Sequence, residues 1–164
     1  MVKDIDVASK AGSDRITWLR LIEDHERIAD QCSTLTRLAR QSSAQSAAAS
    51  RQLIELAVTV AEHLRIEDEV IDRTAMALGT RYSADAIADM EEDLDILRSD
   101  WKSFIGRWLP VIAPSEWALF GAQAESMFDR LSDQVRLETD ILYDHALGNG
   151  VVLTRRNLGG LVLH

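Results

Sequence analysis

His63-Leu-Arg-Ile-Glu67-Asp-Glu-Val-Ile71 returns without gaps as Gln134-Val-Arg-Leu-Glu138-Thr-Asp-Ile-Leu142. Arg65 matches Arg136, Glu67 matches Glu138, and every apolar position of the first segment meets an apolar one in the second. Each segment sits inside a longer apolar stripe. Around the first the stripe is Leu53, Leu56, Val60, His63, Glu67, Val70 and Thr74. Around the second it is Ala124, Met127, Leu131, Gln134, Glu138, Ile141 and His145. Steps of three and four residues are the period of an amphipathic helix. The first stripe predicts a helix over 47–78, stopped by Gly79, and the second a helix from Ser115 to just before Gly148.

The two helices have partners upstream. Trp18, Leu21, His25, Ile28, Cys32, Leu35 and Ala39 predict a helix over 14–40, with Ser13 as its N-cap. Met90, Leu94, Leu97, Trp101, Phe104 and Trp108 predict another over 83–109, capped by Ser83 and ended by Pro110 and Pro114. Glu23-Asp24-His25-Glu26-Arg27-Ile28 aligns on Glu91-Glu92-Asp93-Leu94-Asp95-Ile96, so the chain reads as two copies of a helix pair. Short connections between long amphipathic helices make neighbours antiparallel. The expected fold is therefore all-α, an up-down-up-down four-helix bundle. The bundle spans 14–147, with an N-terminal arm at 1–13 and a glycine-containing tail at 148–164.

Composition narrows the function. The formal charge is −9, from 27 acidic against 18 basic residues, and the longest basic run is Arg155-Arg156. Nucleic acid and anionic lipid both require basic patches, so neither is an expected partner. No apolar run reaches the roughly 20 residues that cross a bilayer. Charges in Met1–Arg15 stand where a signal peptide needs an apolar segment. The single cysteine, Cys32, excludes an internal disulfide and suits a reducing compartment; the expected location is cytoplasmic. Cys32 lies on a core stripe and reads as a small buried hydrophobe.

Polar residues on inward stripes carry the chemistry. His63 and Glu67 are four apart, one turn of about 6 Å on a single helix face. His25 occupies an inward position of the first helix. An ionised carboxylate buried without a partner is costly, so Glu67 calls for a positive companion. Imidazole and carboxylate groups converging in a bundle are nitrogen and oxygen ligands for a transition metal. The first copy offers His25 with His63 and Glu67; the second offers Asp93 with Gln134 and Glu138.

DHERI in the first helix, HLRIEDEVI in the second and QVRLETDILY in the fourth together resemble the hemerythrin-like family, the HHE cation-binding domain. The resemblance covers 14–147. It implies a non-haem iron centre, commonly two bridged irons, in a bundle that binds dioxygen or senses oxygen, redox state or iron. Carried over by position, His25, His63, Glu67 and Glu138 match the family's ligands. Asp93, or its neighbour Glu92, stands where the family has a histidine in the third helix, and Gln134 stands where it has one in the fourth. The oxygen carriers use one more histidine than the four in this chain. The resemblance thus implies a mononuclear or incomplete di-iron site, with Asp93 as a substitute oxygen ligand and Gln134 as a hydrogen-bonding neighbour. It implies binding or sensing rather than catalysis, with iron, another divalent metal or none in the site. The alternative is a degenerate, metal-free bundle whose protonated histidines face Glu67 and Glu138, serving as an interaction module for a protein partner. A ferritin-like reading fails, because Ile22, Val60 and Leu142 occupy the positions three before histidine where that pattern needs Glu.

Overall fold

The computed structural model describes the backbone of residues 2–78 and 84–148, and the side chains of 19–67, 85 and 88–140. Four helices make up the described chain: α1 Val2–Ala39, α2 Ser46–Leu78, α3 Ala84–Trp108 and α4 Trp117–Gly148. Two short 3-10 turns, Ser43–Gln45 and Pro114–Glu116, lead into α2 and α4. Helix α1 packs chiefly on α2 and α4, and α3 closes the bundle against α2 and α4. This is the four-helix bundle that the stripes require.

The stripes face inward as their period dictates. Ile28, Cys32 and Leu35 of α1 share one buried cluster with Leu53, Leu56 and Val60 of α2. Leu97, Trp101, Phe104 and Trp108 of α3 complete the core with Phe120, Ala124, Phe128 and Leu131 of α4. Aromatic rings concentrate at one end. Phe104 stacks on Phe120 at 6.1 Å and meets Phe128 edge-on at 5.8 Å, and Trp108 meets Phe120 edge-on at 5.3 Å.

That same end ties the two connections together. Trp117 Nε1 donates to the Gln41 carbonyl at 2.9 Å, and the Ile112 amide donates to Ser50 Oγ at 2.9 Å. Each bond satisfies a polar group that burial would otherwise leave unmet. The helices are thereby held in register. The opposite half of the bundle carries buried Asp24, His25, His63 and Thr139.

Helix boundaries lie within two residues of the sequence reading except at the start of α1. Helix α1 begins at Val2, so Ser13 lies inside it and is not its N-cap. The obstacle there is Gly12, and one glycine costs a helix only about 1 kcal/mol. Ser83, Gly79, the tail beyond residue 148, and the side chains of Trp18, Tyr143 and His145 lie outside the described residues.

Candidate metal centre

Three helices each bring one donor to a common point. His25 follows Leu21 and Ile22 on the buried face of α1, His63 follows Leu56 and Val60 on α2, and Glu138 follows Leu131 and Val135 on α4. His25 is 3% exposed and His63 2%, so both imidazoles are inside the bundle. His25 Nε2 stands 3.1 Å from His63 Nε2 and 3.1 Å from Glu138 Oε2. His63 Nε2 closes the triangle, 3.7 Å from Glu138 Oε2. Among the described residues these three form a group able to hold a metal ion, with ligand atoms all within 4.8 Å of one another.

Hydrogen placement sharpens the fit. Thr139 Oγ1 lies 2.7 Å from the Val135 carbonyl and gives it the one hydroxyl proton. The same oxygen lies 2.7 Å from His25 Nδ1, so it accepts there, and Nδ1 carries a hydrogen. This assignment follows from the network. Neutral His25 then has its lone pair on Nε2, aimed at a carboxylate oxygen and at a second imidazole nitrogen. That geometry is repulsive until a proton or a metal ion sits between them. Two ligands bound to one ion at about 2.1 Å are about 3.0 Å apart at a right angle and about 3.4 Å apart at a tetrahedral angle. The observed edges fall close to that range. The residues present fit a single ion.

The surroundings orient the donors. Asp24, 3% exposed, presents Oδ2 to His63 Nδ1 at 3.7 Å, while its Oδ1 takes Arg20 Nε at 3.4 Å. A carboxylate on the far side of an imidazole is how metal-binding histidines are commonly held. Gln134 Nε2 donates to Glu138 Oε1 at 3.2 Å, which leaves Oε2 turned to the histidines. Burial by itself would raise the Glu138 pKa. Contacts with His25, His63 and Glu67 outweigh it and hold the group well below the usual carboxylate range.

Not every expected residue joins the trio. Glu67 lies on its flank, with Oε2 3.6 Å from His63 Nε2 and 3.5 Å from Arg98 Nη2. Gln134 touches the trio through its hydrogen bond to Glu138. Asp93 is a correction: it is exposed, as is Glu92, and it is not part of the cluster. The inward stripe of α3 runs through Leu94 and Leu97, and Asp93 stands about 100° around the helix from Leu94. At this level α3 instead offers Arg98, four residues beyond Leu94. Asp24, Thr139 and Arg98 are the site residues that sequence reasoning missed. Thr139 adjoins Glu138 in the repeated segment, and Arg98 shares the face of Leu94 and Trp101; both were signals in plain view.

A cavity of about 40 Å³ adjoins the group, lined by His63, Glu67, Arg98, Gln134 and Glu138 with apolar side chains including Leu94, Leu97 and Trp101. That is space for two or three water-sized molecules.

Comparison with curated proteins and with solved structures gave no match. The profile of the hemerythrin HHE cation-binding domain matches residues 19–146, a span that contains α2, α3 and every residue of the site. With its four-helix bundle and its cluster of histidine and glutamate, the chain belongs to the hemerythrin HHE cation-binding domain family.

Proposed function

We propose that this bundle holds one non-haem iron ion through His25 Nε2, His63 Nε2 and Glu138 Oε2, and uses it to bind or sense dioxygen, redox state or iron rather than to turn over a substrate. The observation that carries the reading is the His25 lone pair, fixed by Thr139 and pointed at two other donors 3.1 Å away. Two imidazoles and one carboxylate on one side of an ion suit iron(II) and leave coordination positions for small ligands. When bound, the iron supplies a redox-active Lewis acid.

The chain's own residues do the rest. Thr139 holds the His25 ring, Asp24 stands beside the far nitrogen of His63, Gln134 aims the carboxylate, and the apolar lining limits water at the site. The adjoining cavity has room for a diatomic molecule, which supports binding of a small ligand. His25, His63 and Glu138 belong to α1, α2 and α4, so a shared ion cross-links three helices. Its arrival or loss changes the packing equilibrium of the bundle, and a protein partner can read that change. The buried free thiol of Cys32 supports a cytoplasmic setting. Among the described residues no helix is long and apolar enough to cross a membrane.

Elemental analysis of protein purified without chelator, from iron-supplemented cells, tests the reading. One iron per chain that is lost in His25→Ala and Glu138→Ala supports it. A folded, metal-free protein under the same conditions overturns it in favour of the interaction module.

A further inference from the structure

Arg98 enters the polar half of the bundle from α3, the helix that contributes no donor to the trio. Its Nε and Nη2 atoms are buried, and Nη2 lies 3.5 Å from Glu67 Oε2. The same Glu67 oxygen lies 3.6 Å from His63 Nε2, so one carboxylate bridges the guanidinium and the metal-binding side of the site. Arg98 also lines the cavity shared by His63, Glu67, Gln134 and Glu138. Beside it stand the residues of the second helix pair, where Gln134 takes the position that His63 has in the first.

We propose that the Arg98 guanidinium is the second cation of this centre, fixed in the protein: it neutralises Glu67 and restricts the site to a single metal ion. Three carboxylate or amide side chains, Glu67, Gln134 and Glu138, border the cavity on its polar side. Without a positive charge there, a second ion would find two carboxylates and open space. With Arg98 present, that ion meets a like charge at close range in a poorly screened interior. Glu67 is meanwhile shared between Arg98 and the flank of the trio. A guanidinium cannot lose its proton under ordinary conditions, so this cation is permanent. The inference rests on the metal-binding reading above.

The test is an anaerobic titration of the chelator-stripped protein with Fe(II), with ions counted per chain after gel filtration and affinity measured by competition with a chelator. The wild type takes one ion. Arg98→Lys, which keeps the charge, also takes one, within about threefold of wild-type affinity. Arg98→Gln removes the charge and releases Glu67 toward the trio, tightening the single ion by about tenfold or more. A merely structural arginine would give the opposite, looser binding along with a lower melting point. Arg98→Glu, if folded by circular dichroism, takes a second ion. Two ions in the wild type overturn the proposal, as does an Arg98→Gln protein that binds no more tightly than wild type or a folded Arg98→Glu protein that stops at one. No ion in the wild type sinks the metal-binding reading itself, and the Arg98 proposal with it.

Discussion

Thr139 Oγ1 accepts a hydrogen bond from His25 Nδ1 at 2.7 Å because its own proton is committed to the Val135 carbonyl, also at 2.7 Å. A helical threonine thereby sets the tautomer of a histidine on another helix. Thr139→Val keeps the shape and removes the acceptor, leaving a buried N–H without a partner. Metal affinity falls by about 10–100-fold, and the metal-free protein loses about 1–3 kcal/mol. Thr139→Ser retains both properties. Chelator competition and urea unfolding measure the two effects. Unchanged affinity in Thr139→Val would show that the tautomer is set elsewhere.

Metal removal reads on stability. An ion that binds only the folded state adds about 2.7 kcal/mol when present at a hundred times its dissociation constant. Differential scanning calorimetry with and without Fe(II) under anaerobic conditions is expected to show a higher melting point for the wild type. His25→Ala and His63→Ala show no such rise, since each lacks one corner of the triangle.

Acid sensitivity follows from Glu138. Its folded pKa is depressed, so in the acidic range the unfolded chain binds a proton that the folded chain refuses. Stability from this group is present above the ordinary carboxylate pKa of about 4.3 and is lost as pH falls through the lower folded value. In chelator-stripped protein the urea midpoint declines as pH drops below that range. Glu138→Gln flattens the decline. An equal slope in both proteins would assign the acid response to other carboxylates.

Cys32 is predicted to be chemically silent. Burial pushes its thiol pKa up to about 12; a hydrogen bond from Ser132 opposes the shift and Asp129 adds to it. At 1% exposure the sulfur is also inaccessible. At pH 8 a thiol-reactive chromophore labels the folded protein negligibly and labels one site per chain after denaturation. Rapid labelling of native protein would place this sulfur at the surface.

The aromatic end supplies stability without touching the chemistry. Phe120 is fully buried among Trp108, Phe104 and Trp117, so Phe120→Ala costs about 3–5 kcal/mol. Below the melting temperature of this variant, iron per chain stays at the wild-type value. Loss of iron from the still-folded variant would show that the two ends of the bundle are coupled.

The fold was legible because apolar spacing survives in all four helices, and two prolines mark the entrance to the last. The trio was legible because His25, His63 and Glu138 lie on stripes where the period demands an apolar side chain. Asp93 misled through its alignment with His25. The repeat equates the two helix pairs residue by residue, but Leu94 and Leu97 rotate α3 so that Asp93 faces outward and Arg98 faces in. Asp24 was hidden for a related reason. It adjoins His25 in a run of charges that reads as a solvated face, and only the approach of α2 shows that it borders His63. A pairing between helices leaves no trace in the period of either one.

The bonds from Trp117 to Gln41 and from Ile112 to Ser50 fasten both helix-pair connections at the aromatic end. The bundle therefore resembles tongs with a riveted hinge, the donors lying on the jaws. Jaw spread is small near the rivet and grows toward the tips, so a sub-ångström change around the ion becomes a larger excursion at the far ends of α1 and α4. Amide exchange in the metal-free protein should accordingly be graded, slow around Leu35 and Phe120 and quickening along α1 toward His25, and the ion should erase that gradient.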